Sequence, residues 1–157
     1  MATIELGKGF DEYLKKLESL EKKDTVPMLK SSLYDGAGYV ADAIRQEIEA
    51  FPGGKKASNG PTDKDIADLK QGLGISPMEF KNDDVSVKIG FAGYGHVTKK
   101  YPKGVPIPMT ARAIIAGTSF RPKDDFVGRA VRKARKRSIS IMDEKINEEL
   151  ERKMNNG

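Results

Sequence analysis

Between Thr25 and Phe51 apolar residues recur at Val26, Leu29, Leu33, Ala37, Val40, Ala41, Ile44, Ile48 and Phe51. Steps of three and four, kept up over about seven turns, put these side chains on one face of an α-helix. The spacing predicts a helix over 25–51. Asp24 or Thr25 suits its N-cap, and Pro27 suits its first turn, where a missing N–H costs nothing. Pro52-Gly53-Gly54 stops it. So long a stripe is stable only when something covers it, so the rest of the chain must supply partners. Gly36 and Gly38 sit inside the helix, each costing up to about 1 kcal/mol against Ala. They mark either a close approach by another element or a bend, and close approach is the favoured reading.

The partners are shorter. The N-terminal segment 1–23 reads as a helix from residue 8 onwards, with Phe10, Tyr13, Leu14, Leu17 and Leu20 as a narrow stripe. Residues 53–64 are polar and rich in Gly, Lys, Ser and Asn, the composition of a mobile loop. Thr62 with Asp65 offers a capping signal for a short helix ending near Leu73-Gly74. Residues 75–91 read as a hairpin around Asn82-Asp83-Asp84, and Val85, Val87, Ile89 and Phe91 alternate with small or polar residues. Ala92–Gly95 is a turn, and Tyr101–Pro108, with three prolines, is extended. A short helix over Thr110–Ala116 should end at Gly117 in a left-handed conformation. Phe120 and Phe126 are expected to be buried on either side of the next loop. A C-terminal helix over 124–152, capped by Asp124 or Asp125, buries Val127, Ala130, Val131 and Ala134. Ile141, Ile146 and Leu150 continue it more thinly, and 153–157 should fray. The expectation is one α+β domain over 1–157, its two long helices packed on a small, mostly antiparallel sheet.

The chemistry on offer is narrow. The chain has no Cys and one His, which excludes disulfide scaffolds, thiolate catalysis and multi-His metal sites. The longest stretch without formal charge, Ile89–Thr98, is far too short to span a bilayer, and no signal peptide is expected at the N-terminus. There is no phosphate-cradling glycine loop and no nucleophile elbow. His96 follows Gly-Tyr-Gly with neither orienting acid nor nucleophile in its motif, so it reads as a surface or hairpin-end residue rather than a base.

Charge is the pointed feature. The net charge is +5, but residues 121–137 carry eight Lys/Arg against Asp124 and Asp125, more than the whole excess. On a helix, Arg129, Arg132, Lys133, Lys136 and Arg137 crowd one side and the apolar stripe takes the other. The run is either a solvated face or a patch for a polyanion, DNA backbone or acidic protein. Without interleaved aromatics, its DNA contacts would be indifferent to sequence. A small, sequence-nonspecific nucleic-acid-binding protein is therefore one expectation.

The other comes from an ordered string of short motifs. These are Asp68-Leu-Lys-Gln-Gly-Leu73-Gly74-Ile75, Val87-Lys-Ile-Gly-Phe91-Ala-Gly-Tyr94 and Lys99-Lys-Tyr101-Pro-Lys-Gly104. Then come Ala111-Arg-Ala-Ile114, Gly117-Thr-Ser-Phe-Arg121-Pro and Asp125-Phe126-Val-Gly-Arg-Ala130. Over roughly residues 30–140 the string resembles the neck or tail-completion proteins of long-tailed bacteriophages, the family named for gene product ten of phage Hong Kong 97. Gly117 and Thr118 match that family's helix-ending element; Phe126 and Ala130 match its helix start. Its usual opening motif is met only in part by Pro61-Thr62 and Leu69-Lys70, and Asp125 stands where a Pro is usual. The resemblance implies a structural virion protein at the head–tail junction, without catalysis, cofactor or metal. Its partners would be the head-closure and tail-tube neighbours and further copies in a ring, with no membrane, and the basic run would face either DNA, at backbone level, or an acidic neighbour.

Overall fold

The long stripe is covered mainly by the C-terminal helix. The computed structural model describes residues 2–5, 22–53, 60–82 and 84–156. In chain order these form β1 (Ala2–Glu5), α1 (Lys22–Glu49), α2 (Asp63–Gly72), β2 (Leu73–Ile75), β3 (Glu79–Lys81), β4 (Asp84–Phe91), α3 (Ile107–Ala116) and α4 (Phe126–Asn156). The fold is α+β. One hydrophobic cluster draws on α1, α2, β4, α3 and α4.

α1 begins at Lys22, so Asp24 and Thr25 are helical rather than caps and Pro27 lies inside the helix. Proline is tolerated there because Val26 and Pro27 face outward and only one early helical hydrogen bond is lost. Of the expected stripe, Leu29, Leu33, Ala37, Val40, Ala41, Ile44 and Ile48 are buried, Phe51 is half-buried and Val26 is exposed.

α1 and α4 run antiparallel and come into close contact at Gly36. A Cβ there would meet Met142 Cγ, with Sδ at 2.8 Å and Ser138 Oγ at 3.1 Å. Across the seam the Ser32 hydroxyl donates to the Met142 carbonyl at 2.8 Å, and the Ser138 hydroxyl donates to the Gly36 carbonyl at 2.8 Å. Both serines are fully buried, so the pair fixes the axial register of the helices. Gly36 thus has the close-approach role, whereas nothing lies within 4 Å of a Cβ at Gly38.

Every other strand pairs antiparallel with β4. β1 takes one edge, with Ala2 opposite Ile89 and Glu5 opposite Ser86. The segment 1–23 therefore contains a strand at 2–5; the helix expected from residue 8 lies, up to residue 21, outside the described residues, and 22–23 belong to α1. β2 and β3 follow one another along the other edge. Between them 76–78 face 87–88, a one-residue bulge. The Ser76 N–H donates to the Lys88 carbonyl and the Lys88 N–H to Ser76 Oγ, both at 2.8 Å. Pro77, which has no N–H, sits in that bulge. The expected hairpin thus starts two residues early, at Leu73, and is broken once. Val85, Val87, Ile89 and Phe91 all turn to the core as their alternation requires.

Of the loop expected over 53–64, residues 54–59 lie outside the described residues, and its end is claimed by α2. The Thr62 side chain accepts from the Asp65 N–H at 3.2 Å, and Asp65 accepts from the Thr62 N–H at 3.0 Å, a complete capping box. α3 starts at Ile107, three residues earlier than expected, because Pro106 and Pro108 suit the first turn of a helix. Gly117 ends it with φ 79° and ψ 163°: positive φ as expected, but with extended ψ rather than the left-handed helical value, a region only glycine enters readily. Asp125 caps α4 by accepting from the Gly128 N–H at 3.0 Å, and the helix runs through 153–156, where fraying was expected. Phe126 is 0% exposed and packs edge-on against Phe51, ring centroids 5.4 Å apart. Phe120 is 83% exposed, the reverse of its expected burial.

Candidate interaction surface

The basic run occupies the first half of α4, and the structure divides it. The Arg129 guanidinium donates from Nε to Glu47 Oε2 at 2.8 Å and from Nη1 to Asp124 Oδ1 at 3.0 Å. Lys133 Nζ donates to Glu47 Oε1 at 2.9 Å. Glu47, on α1, is thus gripped by two cations of α4. Hydrogen bonds from Lys133 and then Arg129 hold its carboxyl below the usual carboxylate range, against the effect of burial. The hydrogen bond to Glu47 likewise raises the Arg129 guanidinium above its ordinary value. Arg129 and Lys133, expected on an outward patch, form the α4 half of an interhelix clamp, with the Lys133 side chain still 69% exposed. Arg137 pairs with Glu144 at 3.2 Å. Arg132 is 71% exposed, with Asp125 only at 3.9 Å, and Arg135 and Lys136 make no ion pair among the described residues. Lys133 and Arg137 are also exposed but paired, so the cations left without a close partner are Arg132, Arg135 and Lys136, beside the exposed Ile139.

The motif residues have structural work between α3 and α4. After Gly117 the Thr118 N–H donates to the Arg121 carbonyl at 3.0 Å, and Thr118 Oγ1 accepts from the N–H groups of Phe120 and Arg121. This closed turn points Phe120 outward. Arg121 ties it back to α2 by donating to Asp65 at 3.3 Å, and the Asp124 N–H donates to the Ile114 carbonyl at 2.9 Å. Phe126 and Ala130 then enter the core, each fully buried.

No family model, curated protein or solved structure matches the chain.

His96 has the orienting acid that its motif did not reveal. Asp68, on α2, stands 2.6 Å from His96 Nδ1 and also accepts from the His96 backbone N–H, at 3.0 Å to one oxygen. Among the described residues no hydroxyl or amine is hydrogen-bonded to the ring, so the pair acts as a staple. It pins a ribbon in which Gly93–His96 lies against Gly104–Ile107. The Gly95 N–H donates to the Val105 carbonyl at 2.8 Å, the Val105 N–H to the His96 carbonyl at 2.9 Å and the Ile107 N–H to the Gly93 carbonyl at 3.0 Å. Gly95 is required because a Cβ would fall on the Asp68 carboxylate. A cleft beside α3, lined by Phe91, Pro108, Ala111, Arg112, Ile115, Ala116 and Val127, contains neither acid nor nucleophile.

The α4 run is not the chain's sole basic feature: residues 85–123, which include the ribbon, carry seven Lys/Arg and no Asp or Glu.

Proposed function

We propose that this chain is a structural virion protein of a long-tailed bacteriophage, acting without catalysis at the head–tail junction as a neck or tail-completion component of a ring. The observation that carries this reading is the joint between α3 and α4. There the motif residues Gly117, Thr118, Phe126 and Ala130 fall in one continuous device that ends a helix, turns and seeds the next helix in the core. That is what an ordered string of structural motifs should do in a protein whose job is assembly. Exposed surface of the kind neighbours use adds support: Phe120 at the turn, and Arg132, Arg135 and Ile139 along α4. Among the described residues no helix is long and apolar enough to cross a membrane. The virion location follows from the proposed role, with assembly in the host cytoplasm beside head-closure and tail-tube proteins.

Deleting the chain from the genome that encodes it should leave DNA-filled heads and finished tails that fail to join, seen separately by electron microscopy. Normal joined particles from the deletion would overturn the reading.

A further inference from the structure

We propose that the ribbon from Gly93 to Ile107 is a finger that contacts the phosphate backbone of duplex DNA through Lys99, Lys100 and Lys103 at its tip. The proposal rests on the geometry of the ribbon and not on the head–tail reading.

The first observation is charge. The tip lies within the acid-free stretch 85–123, and none of its three lysines forms an ion pair among the described residues. The α4 run, by contrast, is partly neutralised by Glu47, Asp124 and Glu144. A phosphate chain therefore meets uncompensated positive charge at the finger and a half-balanced surface at α4.

The second is rigidity. The ribbon's two sides are cross-bonded from Gly93 to Ile107, and the Asp68 carboxylate clamps His96 at two atoms. At the tip the Tyr101 N–H donates to Thr98 Oγ1 at 3.0 Å, and the Gly104 N–H to the Tyr101 carbonyl at 3.0 Å. Little backbone entropy is left to lose when the lysines meet a ligand.

The third is residue type. Lysine binds phosphate as a hydrated point charge and is depleted in protein interfaces, where arginine, itself a phosphate binder, is enriched. The finger carries only lysine at its tip, whereas the free α4 patch offers two arginines around Ile139. A lysine-only tip thus suits a phosphate backbone, and the exposed Ile139 beside the α4 arginines suits a protein contact. The exposed apolar residues Tyr94 and Val97 flank the tip rather than form it, unlike a membrane-inserting loop. Tyr101 is half-buried, its ring under Lys100 Nζ and its hydroxyl on Met109 Sδ, so the tip lacks the stacking ladder that single strands use.

The test is fluorescence anisotropy with a labelled duplex of about 20 base pairs, titrated with the full chain at 50 and 150 mM salt. Wild type should bind at 50 mM salt, weakening toward the roughly 10⁻⁴–10⁻⁶ M expected of nonspecific contacts at physiological salt. Lys99→Glu/Lys100→Glu/Lys103→Glu, and the milder triple Gln variant, should melt like wild type. The Glu triple should lose at least about tenfold in affinity and two to three units of the salt slope. Arg132→Glu/Lys136→Glu should change affinity by less than about threefold. The finger assignment falls if wild type fails to bind at 50 mM salt, if both finger variants bind within about twofold of it, or if the α4 variant loses as much. Tighter binding of an oligo-dT strand, abolished by Tyr94→Ala, would replace duplex backbone by single-strand stacking.

Discussion

The Ser138 hydroxyl donates to the main-chain carbonyl of Gly36, 2.8 Å away across the seam between α1 and α4. Only a residue without a side chain at 36 permits this approach, because Met142 fills the space a Cβ would need. Gly36→Val should therefore destabilise the protein by about 2–4 kcal/mol, from overpacking and a displaced buried hydrogen bond. Gly38→Ala should do the opposite, gaining up to about 1 kcal/mol of helix propensity in open space. Thermal melts of the two variants should shift in opposite directions, and equal shifts would refute the seam.

Glu47 supplies an acid-sensitive contribution. Its folded carboxyl titrates below the ordinary value of 4.5, so its contribution is complete above that value and is lost as pH falls through the lower folded one. Glu47→Gln should cost about 1–2 kcal/mol at neutral pH, discounted by salt because Arg129 and Lys133 are partly exposed. It should also flatten the acid limb of stability against pH. Denaturant unfolding between pH 3 and 7 checks both, and an unchanged acid limb would remove the clamp.

Phe126→Ala should cost about 3–5 kcal/mol, since its ring is fully buried between Phe51 and Phe91. Phe120→Ala should leave the melting temperature within about a degree, because that ring is in water. A large loss at Phe120 in the isolated chain would show that the turn folds inward.

Gly117→Val should destabilise by about 2 kcal/mol or more, since positive φ with extended ψ is strained for a β-branched residue. Its Cβ would also press on the Lys123 backbone at 3.0 Å. Calorimetry finding no loss would exclude this conformation.

Asp68→Ala removes the staple on the ribbon. Amide exchange at His96 and Val105 should accelerate well before the melting temperature moves, since the ribbon lies outside the main helix seam. Unchanged protection there would mean that the backbone bonds suffice alone.

The α1 stripe, the β4 alternation, the Thr62 capping box and the Gly117 stop were legible from the residues alone. Each is a local pattern whose period or cap chemistry acts within a few positions of the chain. The same is true of the α+β class; close approach was expected at Gly36 and Gly38 alike and is found only at Gly36.

What the residues alone did not decide are the encounters between distant segments. Whether Arg129 and Lys133 reach Glu47 depends on α1 and α4 lying antiparallel in one register, set by hydrogen bonds from Ser32 and Ser138 over more than a hundred positions. Asp68 meets His96 only because α2 and the ribbon close on the same end of β4. Phe120 and Phe126 are alike in sequence hydrophobicity, yet a turn closed by Thr118 sends one to solvent and the other to the core. Periodicity reports which face of an element is apolar; which element covers it, and which charges then meet, is settled by packing.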